Sequence, residues 1–355
     1  MNSLRRTQTS VHSKKAQHAQ HRAALWQGWI SLSALHLYAQ LLCGLCFYLY
    51  RHVSTPSYLS LLVLLLPLTA VYGISCRIGR KERPWHSPAG KCAALLLTLC
   101  LFGDAVTALA AITGLVQALL PDYNSLLIHA SVLLCTVPIL TGKQQHTLPH
   151  LAALVCIPLF LAILFVFPGT IRQGHGGNLF PLLGQGTERI LTGALWMCGC
   201  LSPGLIPLLA HPLAQNKTLK ANGCIHLTAA LFFALLTALL AAFLMPFYCL
   251  AQPEGAGTRL MMFLDANTSL LAWSLTICGT LFLLLISLSC ALQESRMLLE
   301  YITKGRLYTL ALLPLAALPL VPAPVLQEMI KWLFPARGIL LGLGLMLLLI
   351  GGKHP

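Results

Sequence analysis

A chain of 355 residues that is 57% hydrophobic and only 9% charged excludes a water-soluble globular domain, in which about 25% of residues carry charge. It points instead to a polytopic membrane protein. The net charge of +14 invites a nucleic-acid partner, but the basic residues sit between apolar runs rather than on one face, as the positive-inside rule dictates.

The chain opens with a polar tail, residues 1–25, in which His12, His18 and His21 lie among Lys and Ser. A disordered tail resting on anionic lipid is the plainer reading, and a metal-binding tail is the other. The tail passes straight into a full-length apolar run, so signal-peptide cleavage is not expected. A window of about 19 residues gives ten candidate spans, at about 26–50, 57–76, 92–120, 124–141, 149–168, 189–211, 223–249, 267–292, 307–325 and 335–352. The sequence thus reads as all-α, with residues 26–352 forming a single ten-helix transmembrane domain.

Of the 23 basic residues, 17 fall on the side that holds the N-terminus, while six (Arg51, Arg172, Arg189, Arg259, Lys331 and Arg337) fall on outer segments or outer span ends. That asymmetry puts both termini in the cytoplasm. Most of the 13 cysteines lie within apolar runs, where a thiol behaves as a small hydrophobe. Cys43-x-x-Cys46 and Cys198-x-Cys200 lack a second pair at zinc spacing, so neither a metal site nor a cofactor is expected. No paired nucleophile and base appears in the spans, so the chain reads as a non-enzyme.

Polar groups inside the spans carry the remaining information. Asp104 is in the third span, in Leu101-Phe-Gly-Asp-Ala-Val-Thr107. A carboxylate in hydrocarbon costs about 2.5–3.5 kcal/mol on insertion scales, which makes it a functional-site hypothesis by default. Helical spacing puts Asp104, Thr107, Ala111 and Gly114 on one small, polar face. That face suits a cavity lining or the seat of another helix, and the acid suits either a proton carrier or a hydrogen-bonded packing contact. His36 and His129 read as hydrogen-bonded helix contacts rather than relays. Trp273, Ser274 and Thr276 give the eighth span a mixed face, and Gly338-x-x-x-Gly342 permits close helix approach, to a neighbouring span or to a partner subunit.

The sixth span carries the sharpest signal: Gly199, Ser202, Pro203 and Gly204 interrupt an otherwise greasy segment. Pro203 cannot donate to the carbonyl of Gly199. Broken helices persist at membrane depth only where protein or a cavity covers the freed groups. In transporters they mark binding sites, whose half-helix ends hold carboxylates and cations. A zwitterionic amino acid fits such a pair of ends. A simple proline kink is the alternative.

Gly177-Asn-Leu-Phe-Pro-Leu-Leu-Gly-Gln-Gly186, followed by Ile190-Leu-x-Gly193, resembles the entry to the sixth span in the GerAB-type spore germination permeases. That family lies within the amino acid–polyamine–organocation transporter superfamily. Leu120-Pro121, Thr141-Gly142-Lys143 and the stretch from Leu264-Asp265 to Trp273 follow in the family's order. Pro203-Gly204 stands where the family has Gly-Glu, and Lys143-Gln144-Gln145 replaces its Gly-Leu-Glu.

The resemblance implies two five-helix inverted repeats, here about 26–168 and 189–352. It implies a nutrient-germinant receptor subunit in the spore inner membrane or plasma membrane, working beside a larger membrane subunit and a lipoprotein. It also implies a ligand held between the first, third, sixth and eighth spans. The candidate contacts are therefore Gly199, Ser202 and Gly204, with Asp104 and Thr107 opposite and Trp273 on the eighth span. The competing readings are a proton-coupled amino-acid transporter, with Asp104 as the coupling group, and a structural scaffold subunit that binds no ligand.

Overall fold

Ser87 starts the first long helix. Its side chain accepts from the Gly90 N–H at 2.9 Å, and Pro88 occupies the first helical position, where a missing N–H costs nothing. In the computed structural model, residues 28, 31, 32, 35–40, 43, 84–141, 148, 150–152, 154–156, 158, 161, 270–303, 312–321 and 323–351 are described. We number the long elements α1 (Pro88–Leu119), α2 (Ser125–Thr141), α3 (Leu270–Thr303), α4 (Leu312–Ala317) and α5 (Ala323–Gly351). The described positions between 28 and 43, and between 148 and 161, are helical too. The spans expected at 57–76, 189–211 and 223–249 lie outside the described residues, and so does the comparison of the two repeats.

Among the described residues, three helices, Pro88–Leu119, Ile277–Thr303 and Glu328–Gly351, are long and apolar enough to cross a bilayer. α1 ends where Pro121 forbids continuation; the Leu120 N–H closes on the Val116 carbonyl at 2.8 Å. Asn124 restarts the chain as a cap, its Oδ1 accepting from the Leu126 N–H at 2.9 Å. His129 then ties the two helices, with Nδ1 3.1 Å from both the Thr113 hydroxyl and the Ser125 carbonyl. This is the helix contact expected of it.

α1 is the central element. α3 and α5 both pack along it, and 72% of its most apolar window is buried, against 33% for α5. The outer face of α5 carries Trp332, Ile339, Leu343, Met346 and Ile350, a helical-period stripe fit to face lipid. Trp85 stacks on Tyr301 at 5.7 Å where α1 begins and α3 ends, an aromatic pair of the kind found at membrane–water boundaries. Arg296 and Glu300 pair beside it at 3.1 Å.

Three span boundaries change. The predicted eighth span stops at 292, but α3 runs to Thr303, because its polar last turns stay helical beyond the most apolar stretch. The predicted ninth span, 307–325, is not one helix: α4 passes into a 3-10 turn at Leu318–Leu320, and α5 begins at Ala323. Pro335 therefore lies inside α5 rather than opening it.

Within the chain, the close approach of α5 to α1 is made at another glycine. A Cβ added at Gly342 meets nothing within 4 Å, whereas one at Gly344 would lie 3.1 Å from Leu97. Gly344 seats α5 on α1, while Gly342 is open; an approach of a partner subunit to that face is untouched by this packing. Gly342→Leu is therefore expected to cost no stability and to gain at most the propensity difference from glycine, about 1 kcal/mol. Melting of the purified protein in lipid nanodiscs measures this.

Candidate functional site

Halfway along α5, equidistant from Ala323 and Gly351, stands Arg337. It is fully buried. The sequence reading put this cation at an outer span end. It belongs instead to the bundle core, where its Nη1 donates to the Asp104 carboxylate Oδ1. Both side chains have no solvent exposure. Charges in a membrane interior pair with one another, and this pairing answers the question raised by Asp104: its partner is a cation from a helix 233 residues away.

Gln40 completes the arrangement. Its Nε2 donates to the Asp104 carbonyl at 2.9 Å and to Ser287 Oγ at 3.1 Å. Its Oε1 accepts from Arg337 Nη1 at 3.0 Å and lies 2.8 Å from Thr107 Oγ1. With both donors and its acceptor engaged, the amide has one orientation. The single Thr107 proton serves either Gln40 Oε1 or the Asp104 carbonyl, 2.9 Å away. One polar network thus joins α1, α3, α5 and the helical residues around Gln40.

The network leaves two conspicuous gaps. Arg337 Nε and Nη2 are buried without a hydrogen-bond partner among the described residues, although the guanidinium carbon sits 4.3 Å from the Phe334 ring centroid. His36, one helical turn before Gln40, is also fully buried, and neither ring nitrogen has a partner among the described residues. The hydrogen-bonded contact expected of His36 is therefore absent there. Near it lie Cys290, whose thiol donates to Glu294 Oε1 at 3.0 Å, and the unpartnered Glu294 Oε2.

Asp104 and Thr107 come together as the helical spacing predicts. Trp273 lies in the first turn of α3, and its side chain is outside what is described; Gly199, Ser202 and Gly204 lie outside the described residues altogether. Arg337, Gln40, Ser287 and Glu294 were missed. The available signal was spacing: His36 and Gln40, and Ser287, Cys290 and Glu294, each recur at intervals of three or four on one helix face.

No protein-family model and no curated protein sequence matches the chain. Solved structures do. A Na+-coupled sialic acid symporter in its substrate-bound outward-open state superposes with a TM-score of 0.55 at 13% identity, covering 92% of this chain and 74% of the symporter. A manganese transporter mutant from Eremococcus coleocola superposes with a TM-score of 0.49 at 14% identity, covering 92% and 79%. The likeness to the symporter is one of fold.

Proposed function

We propose that this chain is a non-enzymatic, permease-like membrane subunit that recognises a small carboxylate-bearing nutrient, an amino acid in the first instance. The observation that carries the reading is the free edge of Arg337. A buried guanidinium with Nε and Nη2 unpartnered is costly, and that edge has the two parallel donors that bind a carboxylate in bidentate fashion. Asp104, Gln40 and Thr107 hold the opposite edge and so aim it. In this reading Asp104 and Thr107 position the arginine. Gly199, Ser202, Gly204 and Trp273 are the remaining proposed contacts.

The finer role, a subunit of a nutrient-germinant receptor in the spore inner membrane, rests on the Asn178–Gly193 resemblance. It brings with it a larger membrane subunit and a lipoprotein as proposed partners. A nutrient signals there by binding one state of the bundle more tightly than the other.

The test is a thermal-shift series on the full-length protein in nanodiscs, using amino acids and their carboxamides. An amino acid is expected to raise the melting midpoint, and its carboxamide, which lacks the anionic pair of oxygens, to do so at least 10-fold more weakly in concentration. Equal potency of acid and amide removes Arg337 from recognition. No shift with any amino acid leaves the scaffold reading in its place. Loss of nutrient-triggered germination in spores lacking the chain tests the receptor role separately.

A further inference from the structure

We propose that His36, Cys290 and Glu294 form a binding site for a zinc-class divalent transition metal, contrary to the sequence expectation of none. One ligand atom from each residue falls in a cluster whose members all lie within 4.8 Å of one another, and all three residues are buried. Cys290 and Glu294 are four apart on α3 and so share a face; His36 approaches from a different helical segment. A tetrahedral zinc shell, with bonds of about 2.0–2.3 Å, puts ligand atoms about 3.4–3.8 Å apart. The cluster needs to close by about 1 Å, within reach of side-chain rotation.

The hydrogen-bond pattern points the same way. His36 has two ring nitrogens and no partner for either among the described residues, and Glu294 Oε2 is likewise unpartnered. Both residues are more than nine-tenths buried. Buried polar atoms left open in this way call for a bound water or ion. A neutral imidazole, a thiolate and a carboxylate together suit zinc and its congeners rather than the oxygen-seeking Mg2+ or Ca2+.

A bound dication also balances the charge of the site. Asp104 and Arg337 cancel each other nearby. Once the ion has displaced the thiol proton, the thiolate and the carboxylate carry two negative charges, which a dication cancels in full. On binding, the Cys290 thiol proton leaves to solvent. The ion clamps the helical residues around His36 to α3, with its fourth position open to water or solute. This inference stands apart from the carboxylate reading, since neither site uses the other's ligands.

The full-length protein in nanodiscs, stripped with a chelator, is titrated with Co2+ as the spectroscopic probe. The expected result is a thiolate-to-cobalt charge-transfer band in the near ultraviolet, saturating at about one ion per chain with tetrahedral d–d absorption. The histidines of the N-terminal tail cannot produce that band, because residues 1–25 contain no cysteine. Cys290→Ser is expected to abolish it. His36→Gln is expected to weaken Zn2+ competition by more than the roughly 10–100-fold that loss of a group supporting a ligand costs, and Cys135→Ser to leave both readouts unchanged. A band that survives Cys290→Ser, or no band at all, overturns the site. X-ray absorption at the zinc edge of the wild-type protein needs no variant: a shell without sulfur overturns it equally.

Discussion

Arg337→Gln is expected to destabilise the bundle by about 3–5 kcal/mol, the usual cost of removing one partner from a buried ion pair. The loss comes less from the attraction forfeited than from the Asp104 carboxylate left buried without its cation. Asp104→Asn leaves the reciprocal problem, an uncompensated guanidinium, and is expected to cost a similar amount. The double variant Asp104→Asn/Arg337→Gln removes both charges and replaces them with groups that can hydrogen-bond to each other. It is therefore expected to melt above either single variant. That ordering is the diagnostic, because independent sites add their losses whereas a charge pair shows a favourable coupling. Thermal unfolding of the four proteins in nanodiscs measures it. A double variant as unstable as the sum of the singles sinks the pairing.

Arg337→Lys separates charge from geometry. The lysine keeps a cation beside Asp104 but offers a point charge without the planar fork. Nη1 of the arginine reaches Asp104 and Gln40 while Nε and Nη2 face away; an ammonium cannot do both. Stability is expected to recover substantially in Arg337→Lys, while the preference for a carboxylate over a carboxamide in the ligand series is expected to disappear.

The apolar skeleton was legible because hydropathy and turn chemistry agree on it. Spans expected at 92–120 and 124–141 appear as Pro88–Leu119 and Ser125–Thr141; Pro121 and Asn124 punctuate the chain between them. The transporter-like fold was read instead from the interruption at Gly199–Gly204 and the resemblance at 177–193, and the likeness to the symporter agrees with it at the level of fold.

The end of α3 was harder. Hydropathy senses the hydrocarbon, and Gln293 to Thr303 continue a helix after the most apolar stretch has ended. The start of α5 was missed for a related reason: Gln327, Glu328 and Lys331 lower the hydropathy ahead of 335, yet the helix already begins at Ala323.

Arg337 was misread through the rule that served the topology. Counting cations as loop residues works because a cation in lipid is expensive. It fails where another helix brings an anion to meet the cation. Nothing local to residues 335–352 reveals that Asp104 stands opposite, since the partners are 233 positions apart. The polar face of Asp104 and Thr107 announced that something would be received there, without saying what. Gly103, beside Asp104, held part of the answer.

A side chain at Gly103 is expected to break this contact. An added Cβ would lie 2.7 Å from Arg337 Cδ and 3.2 Å from Leu333 Cγ. A flexible arginine ordinarily swings aside, but this one is anchored at its head by Asp104, Gln40 and Thr107. The clash must therefore be relieved by shifting α5 or by breaking the ion pair. Helix propensity works in the other direction, since alanine gains about 1 kcal/mol over glycine in a helix interior. Gly342, where a Cβ meets open space, receives only that gain, so Gly342→Ala is expected to be neutral or slightly stabilising. Gly103→Ala combines the same gain with overpacking of about 1–3 kcal/mol. It is expected to melt below wild type, and Gly103→Leu lower still. The contrast between two glycines facing α5's two environments isolates packing from backbone effects: equal melting of Gly103→Ala and Gly342→Ala would show that Arg337 does not need the space glycine leaves.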